Sequence, residues 1–534
     1  MKRTNRNLVG DPAKNADPEA EDTARAYLPS RSAIKSLSQF LTEATGFPGR
    51  YKSPLGLAER VTLEFQRRLA EFVTTQDDWL YAFEKPLYPV PSPWQSILDY
   101  LYAEGAISSP HAIFDRLFHD EPKIFALRLF SVFGREPTDG HTAIMTGHSR
   151  GVSYDFEEAI SKVIGEFLER YPLTIYQRKD FVRASSNALS RAKNDFLNIR
   201  ELAGFAEWQK ELHPHCRFDD TSDFFWVETR ELLSAKTVLV PAQLVFWNYN
   251  VFQEPAEPYL RQPITNGAAG HFTREEAILA GIYENIQRDA FLIHWLNKIA
   301  PPRIDNATID DKDLKKIITQ FERYGFEVIF LNTTLDLEVP SCACVLVDTS
   351  GRGPRIAVGG GCGPNLKNAL MRSITEALGV YHWLRTQKES FTLEDNYLPF
   401  RGAKIGQEKR LLLWGEQKMF SRLQFFLEGR KQSFGEASQS GYPAFFRDPF
   451  EELRRALQVF SQKGEAYKVY VYDAKHRFLD TLGYSSVRVI IPALVPLYLN
   501  EKDAPLGSPR LRSAPLAVGL TPAAELNPWP HPFP

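Results

Sequence analysis

The sequence predicts a mixed α/β fold that follows a small helical N-terminal extension. Its 534 residues have room for two or three domains, or for one large domain with an extension, and a hydrophobic content of 43% is sufficient for large cores. From about residue 105 onward, β-branched or aromatic runs bounded by turns alternate with helical patterns. These runs are KTVLVPAQLVFW, FEVIFLNTT, CACVLVDTS, RIAVGGG, YKVYVYDA and SSVRVIIPAL. We therefore expect strands and helices to be interleaved throughout the main body.

The N-terminal part differs from the main body in composition and in the spacing of its apolar residues. Residues 1–28 are polar and rich in Ala, Asp, Glu and Asn, with little to bury, which predicts disorder. In residues 29–104 the apolar residues recur at intervals of three and four, which predicts helices. The helical patterns are SAIKSLSQFLTEAT, LAERVTLEFQRRLAEFV and SPWQSILDYLYAEGA.

Charge and cysteine content argue against several classes of protein. The chain has 64 Lys and Arg and 66 Asp and Glu, which gives a net charge of -2. This overall charge does not favour binding to nucleic acid or to an anionic membrane. The 4 cysteines are too few for a disulfide framework in a chain of this length. The first residues have no apolar signal core, and no window approaches the roughly 18 apolar residues of a membrane span. We expect a cytoplasmic protein that meets charged ligands locally.

Three segments of the chain share one helical frame. Each contains Ala-(Ile/Leu)-x-x-x-Ile-x-Glu after a glycine, with the same spacing from alanine to glutamate. The segments are GVSYDFEEAISKVIGEFLER, GHFTREEAILAGIYENIQRD and GPNLKNALMRSITEALGVY, with alanines at Ala159, Ala277 and Ala369 and glutamates at Glu166, Glu284 and Glu376. The frame predicts three related helices, each with one buried apolar stripe.

A second face of these helices carries polar residues. The positions three and four after each glutamate share its face. They hold Glu169 and Arg170 in the first copy, Gln287 and Arg288 in the second, and Gly379 and Val380 in the third. Glu and Arg at this spacing also form ordinary solvated faces, but a solvated face has no reason to repeat. The first two copies therefore indicate a binding site.

The polar faces have the chemistry of a magnesium-nucleotide site. Carboxylate oxygens are preferred ligands of Mg²⁺, and backbone N–H groups at glycine turns and helix starts bind phosphate. We expect such turns at GHSRG (residues 147–151) and TNGAAG (residues 265–270), in front of the first two helices. Arg150, in the first of these turns, is a candidate to neutralise phosphate charge.

The chain stops on NPWPHPFP, with prolines at positions 528, 530, 532 and 534. Prolines at alternate positions stiffen an extended segment, and Trp529 and Phe533 offer large apolar faces for docking. Either this tail merely packs on the surface, or it is held in one place as part of a site.

Taken together, these features resemble the YcaO family, and within it the azoline-forming cyclodehydratases that modify ribosomally made peptides. The resemblance covers roughly residues 105–534. It rests on EEAISKVIGEFLERY, TNGAAGHFTREEAILAGIYENIQRDAF and GGGCGPNLKNALMRSITEA, with further support from WVETRELLSAKTVLVPAQLV, VRVIIPAL and GSPRL. The terminal Pro530, Pro532 and Pro534 resemble the Pro-x-Pro-x-Pro end of the azoline-forming branch, where the tail reaches toward the active site.

The resemblance implies a YcaO-like catalytic domain over residues 105–534 and ATP-dependent cyclodehydration of a peptide. A Cys, Ser or Thr side chain would attack the preceding carbonyl, ATP would phosphorylate the amide oxygen, and an azoline would remain. Mg²⁺ would neutralise and align the transferred phosphoryl group. The implied residues are Glu166, Glu169, Glu284 and Gln287 for Mg²⁺, Glu276 for the nucleotide, Arg150, Arg170 and Arg288 for phosphate or for orienting the carboxylates, and Pro530, Pro532 and Pro534 for catalysis, with the terminal carboxylate of Pro534 as the base.

The chain departs from the family pattern at three positions. Gln287 removes a charge from the metal site, Lys162 stands where a small polar residue is common, and Gly379 stands where a glutamine is common. We therefore expect Glu376 and Arg372, both on the third helix, to be peripheral. These departures affect efficiency more than the class of reaction.

The resemblance also implies partners. These are a precursor peptide, a protein resembling ubiquitin-activating enzymes that presents the leader of the precursor, and a flavin-dependent dehydrogenase that oxidises azoline to azole; a homodimer is compatible with this set. Residues 29–104 either dock a partner or the precursor, or form a stabilising helical layer.

Two alternative functions stay open. One is an enzyme of the same fold that forms thioamides or amidines, against which the Pro-x-Pro-x-Pro tail argues. The other is a non-catalytic nucleotide-binding scaffold in which Gln287 marks a decayed metal site.

Three further signals are weak. HPHC (residues 213–216) and CAC (residues 342–344) contain zinc-ligand types but lack the spacing of a structural zinc site. GGGCG (residues 359–363) lacks the full spacing of a dinucleotide-binding loop. Cys362 has no histidine nearby in the sequence to activate it as a nucleophile.

Overall fold

The computed structural model describes residues 90–114, 124–134, 144–351, 353–387, 389–393, 397–401, 405–443 and 445–534. The predicted disordered segment, residues 1–28, and most of the predicted helical extension, residues 29–89, lie outside the described residues. The last predicted helix of the extension is present as α1, Ser92–Ala103.

The strands of the described part follow one another along the main body. In chain order they are β1 (Ile113–Phe114), β2 (Phe125–Gly134), β3 (Ile144–Ser153), β4 (Val182–Ser185), β5 (Asp223–Glu231), β6 (Thr237–Pro241), β7 (Ala268–His271), β8 (Arg303–Ile304), β9 (Phe326–Asn332), β10 (Ser341–Asp348), β11 (Ile356–Cys362), β12 (Lys431–Gln432), β13 (Tyr470–Asp473) and β14 (Ser485–Ile490). Each of the six predicted strand runs overlaps one of them.

The α-helices alternate with these strands. After α1 they are α2 (Phe156–Arg170), α3 (Ser186–Arg191), α4 (Glu207–Leu212), α5 (Arg274–Leu296), α6 (Lys312–Arg323), α7 (Leu366–Thr386), α8 (Gln407–Gly415), α9 (Phe420–Leu427), α10 (Phe434–Ala437), α11 (Pro449–Ser461), α12 (Arg477–Leu482) and α13 (Arg510–Ala517). None of the helices in the described ranges is long and apolar enough to span a membrane.

Three sheets organise the described part of the chain. Their strand orders are β1-β2-β3, then β11-β10-β9-β8-β12, and then β4-β5-β13-β14-β7 with β6 paired to β5. Neighbouring strands run antiparallel, apart from the parallel pair of β12 and β8. The predicted mixture of helices and sheets is confirmed.

The three repeated segments form three strand-helix units. Helix α2 packs on β3, α5 on β7, and α7 on β11, so each helix covers the strand that precedes it. The side chains of Asp155, Thr273 and Asn365 cap the starts of these helices by accepting a backbone N–H from the first turn. Because such caps satisfy otherwise unpaired N–H groups, they explain why each helix begins where the sequence predicts it.

GHSRG does not form the predicted turn, because residues 147–151 lie within strand β3. Its last glycine serves close packing instead, since a Cβ on Gly151 would lie 2.8 Å from the backbone nitrogen of Val163 in α2. Gly361 in β11 lies equally close to the backbone of α7. The second predicted turn is partly correct: Gly267 has a φ of +73° and leads directly into β7.

Helix α1 belongs to the core of the first unit. Leu98 and Leu101 are fully buried and pack with Ile160 and Phe167 of α2. The described part of the predicted extension is therefore continuous with the hydrophobic core of the main body.

Candidate active site

In each repeat, the glutamate of the helix is hydrogen-bonded to the backbone of the strand segment that precedes the helix. One carboxylate oxygen accepts a hydrogen bond from a backbone N–H of the strand or of the turn leading into it. The pairs are Glu166 with Arg150 of β3 (2.9 Å), Glu284 with Gly267 (2.5 Å) and Glu376 with Gly360 of β11 (2.5 Å). Hydrogen bonds to a charged acceptor are strong, so each carboxylate is fixed against its strand.

An arginine one turn further along contacts each of the first two glutamates. Arg170 lies 2.5 Å from Oε1 of Glu166, and Arg288 lies 2.7 Å from Oε1 of Glu284. Arg288 also donates to Oδ1 of Asn266 at 2.6 Å. The side chains of these pairs are partly buried. Their electrostatic attraction is therefore screened less by solvent and salt than that of an exposed pair. The two arginines therefore orient the carboxylates in this structure.

The first two glutamate helices bring their charges into one cluster. Burial raises the pKa of Glu169 to about 8 against the opposing effect of Arg170, and Glu284 and Glu166 add to the rise. Burial disfavours the charged form of Arg170, but the same three carboxylates raise its pKa above the usual value. Helices α2 and α5, although far apart in the chain, both contact strands β7 and β14, so their carboxylates meet at one site.

Glu376 joins this cluster, so its expected peripheral position was wrong. The side-chain nitrogen of Gln287 donates to its Oε2 over 3.4 Å. Burial raises the pKa of Glu376 to about 7, although the hydrogen bond from Gly360 acts in the opposite direction. The polar pattern of the third helix ends after this glutamate, with Val380 one turn later, and for that reason the sequence pattern placed it outside the site.

Glu276 lies apart from the cluster, in the first turn of α5. It contacts the hydroxyl of the cap residue Thr273 and lies 2.7 Å from Nδ1 of His271. Glu276 precedes Glu284 by two helical turns, which is about 12 Å along the helix axis at 1.5 Å per residue. A nucleoside triphosphate is long enough to contact both Glu276 and Glu284. The role of Glu276 in nucleotide binding stays a prediction.

The C-terminal tail is buried against the main body. The buried residues are Pro530, His531, Pro532 and Phe533, and Pro534 is partly exposed. The indole of Trp295 donates to the carbonyl of Trp529 at 3.1 Å, and the indole of Trp414 donates to the carbonyl of Pro530 at 3.0 Å. Since a buried carbonyl needs a hydrogen-bond donor, these two indoles satisfy the backbone of the tail.

The tail ends beside the carboxylate cluster. The ring of Phe533 packs on that of Phe291 in α5, with 4.5 Å between the ring centroids. A Cβ on Gly360 would overlap the ring of Phe533 and would lie 2.6 Å from the side-chain nitrogen of Gln287. Phe533 and Gln287 therefore both line the strand that holds Glu376. The catalytic roles of Pro530, Pro532 and Pro534 stay predictions.

A buried polar group anchors the middle of the tail and was not predicted. Arg410 of α8 donates to Nε2 of His531 and to the carbonyl of Tyr498, both at 2.9 Å, and lies 3.9 Å from Glu501. The guanidinium can only donate, whereas Nε2 of His531 also lies 3.0 Å from the carbonyl oxygen of Tyr498, which can only accept, so Nε2 cannot serve both contacts at once. Burial and the charge of Arg410 lower the pKa of His531 well below its usual value.

Arg488 of β14 is a second buried residue that no sequence pattern predicted. It is buried and donates to the carbonyls of Leu244 and Ile264 at 3.0 and 2.6 Å. Burial and the neighbouring Arg261 lower its pKa to about 9, while Glu284 acts in the opposite direction. The signal was present in VRVIIPAL, where one arginine interrupts an apolar strand.

The donor chemistry of the cluster fits Mg²⁺ and phosphate. Buried carboxylates that raise one another's pKa are stabilised by a divalent cation, and carboxylate and amide oxygens are suitable ligands. The four predicted ligand residues, Glu166, Glu169, Glu284 and Gln287, come together here. With the present pairings, no three His, Cys, Asp or Glu side chains of the described ranges are arranged to hold a metal ion. Their assignment as ligands therefore stays a prediction.

Of the weaker sequence signals, GGGCG reaches the cluster through the backbone N–H of Gly360, which donates to Glu376. GGGCG is mostly part of strand β11, and the neighbouring Cys342 and Cys344 are buried in the core. Burial raises the pKa of the Cys362 thiol to about 12, which disfavours the reactive thiolate. Arg372, on the third helix, donates to the carbonyl of Cys362 at 2.9 Å.

Comparison with known proteins identifies the family. The model of the YcaO family, described as an ATP- and Mg²⁺-binding cyclodehydratase, matches residues 150–495, well over half of the chain. A protein of Methanothermobacter thermautotrophicus is 31% identical over 161 residues, covering 30% of this chain and 41% of the relative. A protein encoded in the tfuA 3′ region of Rhizobium leguminosarum bv. trifolii is 27% identical over 161 residues, covering 28% and 37%. The matches span about two fifths of the length of these curated relatives.

Solved structures share the fold. A heterocyclase in complex with substrate and cofactor has a TM-score of 0.59 at 19% identity, over 83% of this chain and 58% of that one. The heterocyclase TruD has a TM-score of 0.52 at 18% identity, over 94% and 70%. YcaO from Methanopyrus kandleri, bound with AMPPCP and Mg²⁺, has a TM-score of 0.52 at 17% identity, over 77% and 94%. The predicted fold, family and cofactors are confirmed: the chain belongs to the YcaO family of cyclodehydratases that bind ATP and Mg²⁺.

Proposed function

We propose that the chain is an ATP-dependent cyclodehydratase that converts Cys, Ser or Thr of a ribosomally made precursor peptide to azolines. The observation that carries this proposal is the meeting of the glutamate helices and the buried proline tail, where Gln287 and Phe533 lie against Gly360. A site of this kind needs a charged region for nucleotide and metal, with a separate wall for the peptide beside it. The cluster and the tail supply these two parts.

In the proposed reaction, the side-chain sulfur or oxygen bonds to the preceding carbonyl carbon. The carbonyl oxygen accepts the terminal phosphoryl group of ATP, and its bond to carbon then breaks as phosphate leaves. The peptide loses one water overall, whose oxygen ends in the phosphate. Mg²⁺, when bound, neutralises the phosphate charge and aligns the transferred group. The residues that would hold it are Glu166, Glu169, Glu284 and Gln287, with Glu276 contacting the nucleotide.

The arginines and the tail have separate tasks in this proposal. Arg170 and Arg288 orient their partner glutamates through close ion pairs. Arg150 would face the phosphates. Ring closure also requires removal of a proton from the peptide. We assign this step to the terminal carboxylate of Pro534, the residue after the buried Phe533. The stiffness of the preceding prolines would keep it in position.

We further propose that the enzyme acts in the cytoplasm with partner proteins. A protein resembling ubiquitin-activating enzymes would present the leader of the precursor, and a flavin-dependent dehydrogenase would oxidise the azoline. Residues 29–104 are the candidate docking segment for the partner or the precursor.

The test is to incubate the purified chain with Mg-ATP, the precursor peptide and the leader-binding partner. The expected result is the loss of the mass of one water per ring, matched by release of one phosphate. Phosphate release with a gain in mass, as sulfur replaces the carbonyl oxygen, would favour thioamide formation. An amidine formed from an amine of the peptide also loses one water, and it would be recognised by the loss of that free amine. A chain that binds nucleotide but releases no phosphate and forms no ring would be the non-catalytic scaffold, and the enzyme proposal would be wrong.

A further inference from the structure

Arg261 and Arg488 are neighbouring arginines that form no ion pair with any described residue. Arg488, on β14, is only 1% exposed, and its Nε and Nη2 atoms donate to the carbonyls of Leu244 and Ile264. Within the part of the chain that the structure describes, its Nη1 atom has no hydrogen-bond partner. The Arg261 side chain is partly buried and forms no hydrogen bond there either. Since a buried donor without an acceptor costs free energy, an anion would stabilise both side chains.

The simplest alternative is that Arg261 is an ordinary solvated arginine. Burial lowers its pKa to about 10, and burial together with Arg261 lowers the pKa of Arg488 to about 9. A solvated arginine keeps its usual pKa, so the guanidinium of Arg261 is shielded from water. Elsewhere the chain pairs a buried arginine with carboxylates, since Arg510 lies 2.8 Å from both Asp289 and Asp336. The pair of Arg261 and Arg488 differs from that arrangement in a way that suits a bound anion.

Arg261 begins a short segment, residues 261–266, that reaches the carboxylate cluster at its far end. There Oδ1 of Asn266 accepts a hydrogen bond from Arg288 at 2.6 Å, and Arg288 pairs with Glu284. Metal and nucleotide are expected at this end of the segment.

The near end of the segment contacts the part of the chain that holds the tail. Oε1 of Gln262, next to Arg261, accepts from the backbone N–H of Leu499 at 3.0 Å. The carbonyl of Leu499 accepts from Arg410 at 3.3 Å, and Arg410 also contacts His531 of the tail. Arg261 therefore lies on the tail side of the site, where the proposed reaction places the peptide.

The available donors match a carboxylate. An arginine side chain can bind the two oxygens of a carboxylate through parallel hydrogen bonds, and Arg488 adds one unpartnered nitrogen beside it. A phosphate carries more charge and more oxygens, and the metal ions and arginines of the cluster are better matched to it. We propose that Arg261, together with Arg488, binds a carboxylate of the peptide substrate and makes the enzyme select acidic peptides. This inference rests on the proposed peptide cyclodehydratase function.

The test compares two acetylated and amidated probe peptides, Asp-Asp-Cys-Asp-Asp and Asn-Asn-Cys-Asn-Asn. Each is titrated calorimetrically into the full chain saturated with Mg²⁺ and a non-hydrolysable ATP analogue, at an ionic strength of about 0.15 M to screen long-range attraction. We expect the wild type to bind the aspartate peptide at least about tenfold more tightly, the scale of a hydrogen bond to a charged group. Arg261→Gln should lose this preference. Arg261→Lys keeps the charge but not the paired donors, so it should retain part of the preference.

Two further titrations identify the ligand. The asparagine peptide with a free C-terminal carboxylate separates a terminal carboxylate from a side-chain carboxylate. If this peptide gains affinity over its amide and Arg261→Gln removes the gain, the proposed site binds the peptide end. Inorganic phosphate tests the competing ligand. Phosphate that binds the wild type but not Arg261→Gln, without any preference among the peptides, would overturn the inference.

The outcomes separate this inference from the proposed function. Equal affinities of the wild type for all three peptides, or binding of none, would overturn the inference whether or not the variants fold. The same preference in the wild type and in Arg261→Gln would also overturn it. Arg323→Gln, an exposed arginine at the end of α6, is the matched control and should behave as the wild type does. These results leave the proposed function intact, because ring formation on the precursor is measured separately.

Discussion

The indole nitrogen of Trp414 donates a 3.0 Å hydrogen bond to the carbonyl oxygen of Pro530. Both residues are buried, so this bond joins α8 to the middle of the C-terminal tail. A buried carbonyl that loses its donor costs about 1 to 3 kcal/mol. The bond is therefore one of the contacts that keep the tail beside the carboxylate cluster.

Trp414→Phe should loosen the tail while the helix cluster stays intact. Phenylalanine keeps the apolar contact but leaves the carbonyl of Pro530 unpaired. We expect faster hydrogen exchange at Trp529, His531 and Phe533, a lower kcat for ring formation, and nucleotide affinity close to that of the wild type. Trp383→Phe, on α7 and remote from the tail contacts, is the control. Unchanged exchange in the last residues of Trp414→Phe would show that this bond does not hold the tail.

Arg288→Lys should weaken nucleotide binding. The guanidinium contacts Glu284 at 2.7 Å and Asn266 at 2.6 Å through two of its nitrogens. The single nitrogen of a lysine ammonium group does not reproduce this planar arrangement of donors. Glu284 would then be poorly oriented, and we expect the affinity for Mg²⁺ with an ATP analogue to fall by about tenfold or more, as for other groups that position metal ligands.

Arg274→Lys provides the comparison on the same helix. Arg274 pairs with Asp473, and both side chains are more than one third exposed. Exposed pairs contribute only about 0 to 1 kcal/mol, so nucleotide affinity should not change. Equal losses in the two variants, measured by calorimetry, would show that the effect of Arg288 is not specific to the site.

The sequence predicted the glutamate helices better than it predicted their surroundings, and there is a physical reason for this. Helical periodicity is local, so the repeated frame predicted the three helices that carry Glu166, Glu284 and Glu376. Gly151 was placed in a turn because glycine favours turns, whereas here it allows α2 to lie close on β3. Only the folded structure shows whether a glycine is needed for a turn or for the close approach of a helix to a strand.

The third helix and the tail illustrate the same limit. Glu376 enters the site through its contacts with Gly360 and Gln287, which are distant in the sequence. The pattern along α7 alone gave no reason to include it. The position of the tail was expected from the family resemblance, but its anchoring by Arg410 depends on tertiary contacts that no local pattern encodes.

Glu501, beside Arg410, should make stability depend on pH. Burial raises its pKa to about 7, against the effect of Arg410, while a glutamate in an unfolded chain has a pKa of about 4.3. Between these values the folded state retains a proton that the unfolded state has lost. The contribution to stability is thus fully present below the unfolded pKa and is lost as pH rises through the folded pKa. The loss is at most about 1.4 kcal/mol per pH unit.

Glu501→Gln should remove this slope. Relative to the wild type, the variant should gain free energy of unfolding as pH rises from about 5 to about 7, the interval between the two pKa values. Urea denaturation across this interval measures the difference. Glu408→Gln, an exposed glutamate on α8, should show no such gain. Parallel pH profiles for the wild type and Glu501→Gln would mean that Glu501 is already ionised in the folded protein.

Gly360→Ala should separate the tail from the cluster. A Cβ at this position would overlap the ring of Phe533 and lie 2.6 Å from the amide nitrogen of Gln287, so the backbone of β11 cannot accept it unless the tail moves. A displacement of about 1 Å at a reacting centre can lower a rate by about 100-fold, and we expect a loss of that order in ring formation. Gly435→Ala is the control, because no atom lies within 4 Å of the added Cβ. If Gly360→Ala forms rings at the wild-type rate while hydrogen exchange shows the tail displaced, the tail is not part of the catalytic centre.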